Sequence, residues 1–186
     1  MEFKKLGKSD LTVSAYCLGT MTFGEATSET DSHLQIDQSL ASGINFIDTA
    51  EMYPTCPLRE ETTGDTEVII GNWIEKNKSK RADFVLATKI SGKGYKAVRN
   101  GEGIDEKSIK IAIEGSLKKL KTDYIDLYQL HWPNRGSYHF RQNWNYNPTN
   151  QDTEIAKDNI NGVLNSLSDL QKEAKQMTLR AKEEYT

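Results

Sequence analysis

The chain has 186 residues, 36% of them hydrophobic and 27% charged, with a formal net charge of −3. That length suits one domain with a core of its own, and nothing in it offers the clustered cationic excess that nucleic acid or an anionic membrane would require. No apolar run approaches the roughly 20 residues that span a bilayer. The start Met1-Glu2-Phe3-Lys4-Lys5 lacks the apolar stretch of a secretory signal, so a cytoplasmic location is expected, with no nucleic-acid and no membrane partner.

Taken in chain order, Phe3 to Leu11 holds a Gly7-Lys8-Ser9-Asp10 turn between short extended pieces and predicts a small hairpin. A first apolar run, Val13 to Leu18, predicts a strand, and a helix is expected from about Asp31 to Ser42, after Ser28-Glu29-Thr30-Asp31 and before Gly43. Ile44 to Ile47 predicts the next strand, and a helix from about Asp65 to Asn77 buries Ile70, Trp73 and Ile74. Phe84 to Ala87 predicts a third strand, followed by a glycine-rich loop from Ser91 to Gly103. Behind a candidate cap at Asp105, Ile109, Ala112, Ile113, Ser116, Leu117 and Leu120 recur at steps of three and four, which makes one helical stripe.

Tyr124 to Leu130 predicts a fourth strand. The connection from Trp132 to Lys157 carries Trp132, Tyr138, Phe140, Trp144 and Tyr146, and loops of that length in compact domains are usually functional or disordered; its aromatics favour function. A last stripe, Ile160, Val163, Leu164, Leu167 and Leu170, predicts a fourth helix with Asp158 as its N-cap. Four short runs alternating with four helical patterns is the signature of βαβ units and a parallel sheet. Cys17 is expected to be a buried apolar residue of a strand and Cys56 a loop thiol; their spacing fits no metal site. His33 and His139 are expected to be solvated.

Three of the strands end on one ionisable residue each: Asp48, Lys89 and His131. Parallel strands deliver their C-terminal ends to one edge of a sheet, and in a (β/α)8 barrel that edge is where active sites are built. Tyr53, in the loop after Asp48, adds a phenol. A free phenol is a weak proton donor near neutral pH, and an adjacent ammonium, for which Lys89 is placed, favours its ionisation. Asp48 would hold the lysine, and a neutral His131 could donate a hydrogen bond to a carbonyl oxygen as charge develops there. These are the parts for reducing a ketone or aldehyde. A dinucleotide-binding doubly wound fold is the nearest rival, but no G-x-G-x-x-G joins the first strand to the first helix.

Several segments together resemble the aldo-keto reductases, in their Tas-like branch. They are Leu18-Gly19-Thr20-Met21-Thr22-Phe23-Gly24, Asn45-Phe46-Ile47-Asp48-Thr49-Ala50-Glu51-Met52-Tyr53-Pro54, Thr66-Glu67 with Gly71-Asn72-Trp73, and Ala87-Thr88-Lys89. Ser116-Leu117-Lys118-Lys119-Leu120 then leads through Thr122-Asp123-Tyr124-Ile125-Asp126-Leu127-Tyr128 to His131-Trp132-Pro133. The resemblance implies a (β/α)8 barrel and an NAD(P)H-dependent oxidoreductase that reduces small carbonyl compounds. It implies that Asp48, Tyr53, Lys89 and His131 are the family's catalytic tetrad, and that Gly19, Thr20, Met21 and Asp48 lie near a bound NADP(H). It further implies that the aromatic segment, through Trp132, Tyr138 and Trp144, shapes the substrate pocket.

The resemblance runs over residues 1–175, the expected N-terminal half of such a barrel, and residues 176–186 form a polar, helix-prone tail that does not match it. The expected fold is therefore α/β: a partial (β/α)8 barrel of about four β/α units behind a short N-terminal hairpin. Four strands cannot close a barrel, so the expectations for this chain alone are marginal stability, self-association through open sheet edges and weak NADP(H) binding. The abrupt change after Lys175 is expected to mark a shifted or early-stopped reading frame. The alternative reading is a non-catalytic interaction or regulatory module.

Overall fold

The computed structural model describes residues 1–134, 144 and 146–184, with side chains to residue 173. Its elements are β1 (Phe3–Lys5), β2 (Thr12–Ser14), β3 (Leu18–Gly19), α1 (Glu29–Ala41), β4 (Phe46–Asp48), α2 (Asp65–Lys76), β5 (Val85–Ile90), α3 (Glu106–Leu120), β6 (Leu127–Leu130) and α4 (Thr153–Glu184). β1 and β2 form the antiparallel hairpin, with Lys4 opposite Val13. The other four strands form one parallel sheet in the order β3-β4-β5-β6. A helix follows each of them, so the chain builds four consecutive β/α units of a (β/α) barrel. Among the described residues, β3 and β6 each have a single strand neighbour.

The first apolar run is not one strand. Val13 is buried in the hairpin and Leu18 opens β3, with the chain turning between them. Ser14 makes the turn, since its hydroxyl donates to Tyr16 O at 2.6 Å and its backbone N–H donates to Asn45 Oδ1 at 2.7 Å. Asn45 also donates to Thr12 O, tying the hairpin to the start of β4. Cys17 consequently lies exposed, contrary to the buried strand position expected for it.

Local chemistry sets the helix ends. Ser28 caps α1 by accepting from Asp31 N–H, so the helix starts two residues before the expected Asp31, and it ends ahead of Gly43, whose φ of +81° suits glycine. Asp105 caps α3 in a reciprocal box: its carboxylate accepts from Ser108 N–H and its own N–H donates to Ser108 Oγ, each at 2.7 Å. α4 begins at Thr153 rather than behind Asp158, because the Asp152 carboxylate receives the N–H groups of Glu154 and Ile155. Of its expected stripe, Val163, Leu167 and Leu170 pack inward, whereas Ile160 and Leu164 stay exposed. His33 is also corrected: it is not solvated, and its Nε2 donates to Ile69 O at 3.0 Å, bridging α1 to α2.

The core lies between the sheet and the helices. Ile47 and Leu86 of the sheet meet Ile36, Ile70, Trp73 and Leu120, while Ile90 and Tyr128 meet Ile109, Ala112 and Val163. Side chains alternate across a strand, so Asp48, Lys89 and Gln129, each next to one of these core residues, are turned to the opposite face. At the other end of the strands Arg81 joins the segments that lead into β5 and β6. It donates to Phe84 O, Tyr124 O and Thr122 Oγ1, and pairs with Asp126 at 2.7 Å.

Candidate active site

Backbone hydrogen bonds carry the parallel ladder past the last residues of the strands, so the groups that follow are held in register. Thr20 N–H donates to Asp48 O, Thr49 N–H to Ala87 O, and His131 N–H to Ile90 O at 2.9 Å. Three strand ends therefore meet at one rim, and the loop after β4 returns Tyr53 to it.

The side chains converge there. Lys89 Nζ donates to Asp48 Oδ2 at 2.6 Å, to Thr49 O at 2.7 Å, and to the Tyr53 hydroxyl at 3.4 Å. The same ammonium stands 4.8 Å from the centre of the Tyr53 ring. The His131 imidazole meets that ring edge-on with centroids 5.6 Å apart, and it stacks obliquely on Trp132 at 5.0 Å. Burial, together with the Lys89 ammonium and against the opposing pull of Asp48, pushes the His131 pKa down to about 4. The imidazole is therefore neutral at pH 7 and carries a single ring N–H. A phenol, an ammonium and a neutral imidazole around one point can protonate an oxygen on which negative charge is developing.

The remaining expected site residues are placed as follows. Gly19 pairs with Asp48 across β3 and β4, and Thr20 is fully buried with its hydroxyl donating to Asp48 O at 2.9 Å. Met21 is 44% exposed beside them. Trp132 is buried against Ala50, Met52 and Val98, with its indole N–H donating to Lys93 O, so it forms part of the floor beneath Tyr53 and His131. Trp144 is 90% exposed, standing in solvent rather than against the tetrad. Tyr138 and His139 lie outside the described residues.

One group at this site went unnoticed in the sequence. Gln129 donates from Nε2 to Asp48 Oδ1 at 2.9 Å, so both oxygens of the Asp48 carboxylate are engaged, one by an amide and one by an ammonium. The signal that could have found it is strand alternation, since Gln129 lies two residues before His131 and directly opposite Lys89 in the ladder. Among the described residues no group of three His, Cys, Asp or Glu could hold a metal ion, and no helix is long and apolar enough to cross a membrane.

The donor set also bears on a cofactor. Beside Asp48, a Cβ at Gly19 would meet nothing within 4 Å, which leaves flat, open ground for a planar ring next to the proton donors. Two cations of the site are committed, Lys89 to Asp48 and Arg99 to Glu51. That open ground beside Asp48, Lys89 and Tyr53 fits the flat ring of a nicotinamide.

Comparison with known proteins agrees with this geometry. The model of the aldo/keto reductase family matches residues 15–175. Protein tas of Escherichia coli (strain K12) is 49% identical over 138 residues, which is 73% of this chain and 39% of that protein. The uncharacterized oxidoreductase YrpG of Bacillus subtilis (strain 168) is 39% identical over 138 residues, covering 70% of this chain and 40% of its own. Among solved structures, the holo form of aldo-keto reductase AKR11C1 from Bacillus halodurans superposes with a TM-score of 0.67 at 31% identity, covering 94% of this chain and 47% of the other. The chain thus spans less than half the length of these relatives. With four β/α units in the family's order and its sequence pattern across most of the chain, this protein belongs to the aldo/keto reductase family.

Proposed function

We propose that this chain carries the proton-donating half of an NADP(H)-dependent carbonyl reduction, acting on small aldehydes or ketones. The observation that carries the reading is the placement of Lys89 Nζ, 2.6 Å from Asp48 and 3.4 Å from the Tyr53 hydroxyl. Tyr53 gives its proton to the carbonyl oxygen. Lys89 stabilises the phenolate left behind, Asp48 fixes Lys89, and neutral His131 orients the substrate oxygen by a hydrogen bond. Gly19, Thr20 and Met21 would border the nicotinamide, and a reduced nicotinamide, when bound, supplies the hydride. Trp132 supports the pocket from below. The solved relative AKR11C1, at 31% identity, is described in a holo form, which supports a bound cofactor in this fold.

The test is consumption of NADPH with a reactive aldehyde by the purified 186-residue chain, followed by absorbance at 340 nm. Turnover that falls by about 10² or more in Tyr53→Phe is expected, the range a positioned general acid contributes. Turnover that Tyr53→Phe leaves intact would overturn the reading.

A second reading has one observation in its favour. Among the described residues β3 and β6 each lack a second strand neighbour, and an unpaired strand is a template for pairing with another chain. In this reading the chain is an interaction module. A discrete, stable complex or self-associated species in sedimentation velocity, with no turnover, supports it over the enzyme.

A further inference from the structure

Beside the tetrad lies a buried ion pair that the proposed reaction leaves without a role. Glu51 and Arg99 have side chains only 7% and 10% exposed. Arg99 Nη1 donates to Glu51 Oε2, and Arg99 Nη2 donates to Ser91 O at 2.7 Å. Glu51 Oε1 in turn accepts from the backbone N–H of Ser91.

The position of this pair in the ladder is informative. After β4 ends, Thr49 N–H still donates to Ala87 O and Glu51 N–H to Lys89 O. The next rung would need a backbone acceptor for Ser91 N–H, and the Glu51 carboxylate takes that place. It extends the β4/β5 register by one rung after the backbones have parted. Tyr53 lies two residues beyond Glu51, and Lys89 lies two residues before Ser91. The carboxylate therefore ties together the two segments whose spacing sets the 3.4 Å contact between Lys89 Nζ and the Tyr53 hydroxyl.

Arg99 closes the arrangement from the far end of the glycine-rich loop. It sits in the left-handed region at φ 43°, followed by Asn100 at 55° and Gly101 at 78°, a path that residues with a Cβ adopt only when their surroundings hold them there. Beside it Val98 packs on Ala50, Met52 and Trp132, and the Tyr95 hydroxyl lies 2.8 Å from Thr63 Oγ1. The loop thus forms a wall of the site, and among the described residues its one buried ionic attachment is to the loop that carries Tyr53.

We propose that Glu51 and Arg99 are positioning residues, an ionic clamp that fastens the loop after β5 to the loop after β4 and so holds Tyr53 at Lys89. The clamp gives the functional reading its missing element, since it explains what keeps a phenol on a loop in register with an amine on a strand. It rests on that reading only in giving Tyr53 a task.

The test reads position directly. The full chain is labelled with 3-fluorotyrosine, and the Tyr53 ¹⁹F resonance is identified by its loss in Tyr53→Phe. In Glu51→Gln and in Arg99→Met that resonance is expected to move or split, while the resonance of Tyr16, 69% exposed and away from the clamp, stays in place. Amide hydrogen exchange in residues 92–103 is expected to rise about 10- to 100-fold, while the β1–β2 hairpin keeps its protection. The double variant should add nothing to either single one, because both break the same contact. Should Glu51→Gln fail to fold, Arg99→Lys decides by the same two measurements, since it keeps the cation but cannot reach Glu51 and Ser91 O together. A Tyr53 resonance that does not respond, or exchange that rises equally throughout the chain, overturns the proposal, the latter marking a merely structural ion pair. A chain that turns over no aldehyde would sink the functional reading and still leave these measurements to decide on the clamp.

Discussion

Arg81 offers the sharpest test of how β5 and β6 are held together. Its guanidinium is 8% exposed and donates to Phe84 O, Tyr124 O, Thr122 Oγ1 and Asp126 Oδ2, while its plane lies 3.8 Å from the Tyr124 ring centre. Asp126 passes the connection on, because the same oxygen accepts from Leu86 N–H in β5. Arg81→Met removes the cation and leaves a mostly buried carboxylate without its counter-charge and Phe84 O without its donor. Breaking one side of a buried pair costs about 3 to 5 kcal/mol, a large share of the roughly 5 to 15 kcal/mol that holds a domain together. At about 2 to 4 °C per kcal/mol for a chain of this size, the midpoint should fall by roughly 6 to 20 °C. Urea unfolding followed by circular dichroism measures the loss at constant temperature. Arg81→Met with Asp126→Leu should recover part of it, because the stranded charge is gone. A loss below about 1 kcal/mol, the value of an exposed pair, or a double variant as weak as the sum of its parts, would refute the argument that desolvation dominates.

Two further outcomes follow from the same physics. His131 holds its proton less tightly in the folded chain, at about 4 against an ordinary value of 6.5. The unfolded chain therefore takes up a proton first as the pH falls, and stability is complete above about 6.5 and drains away toward 4; a shift of this size, discounted for the ring's partial exposure, is worth about 2 kcal/mol. The pH profile of stability for His131→Gln, subtracted from that of the natural chain, should show this loss in that window, and a flat difference would count against it. Gly71 lies where α2 crosses α3, and a Cβ there would stand 2.0 Å from Lys119 O and 3.0 Å from Leu120 Cα. Gly71→Ala should cost about 3 kcal/mol despite the roughly 1 kcal/mol gained in helix propensity, and a thermal melt that rises instead would show that the two helices part easily.

The parts of this fold that could be read from the sequence are those where one residue type leaves few options. The Asp105 cap and the stripe behind it are such a case, since Ile109, Ala112, Ser116 and Leu120 are all buried on the face that the spacing marks. So is the α/β alternation, and the placement of Asp48, Lys89 and His131 at one rim follows from it directly. The misreadings arose where an apolar run carries no direction. Val13 and Leu18 belong to different sheets because the Ser14 hydroxyl and Asn45 turn the chain between them, and hydrophobicity is silent about a hydroxyl that bends the backbone. At α4 the expected cap was Asp158, but the earlier carboxylate of Asp152 captured the free amides. His33 faced solvent by composition but found a carbonyl of the neighbouring helix, a contact 36 residues away in sequence.

The site shows the same division, with a consequence for how it works. Residues that carry charge to the mouth of the sheet stand out, since an ionisable group at the end of an apolar strand has few structural reasons to be there. Gln129 and Glu51 do not stand out in that way. One is neutral and sits inside a strand, and the other follows an alanine in a loop; each becomes meaningful only through the atom it reaches, Asp48 Oδ1 in the first case and Ser91 N–H in the second. Both act on the tetrad from adjacent strands or loops of the four units present. The geometry of Tyr53, Lys89 and Asp48 is therefore set by contacts among β4, β5, β6 and the loops after them. In the reading proposed above, placing the phenol is therefore a matter of these four units' own contacts, separate from whatever holds the nicotinamide.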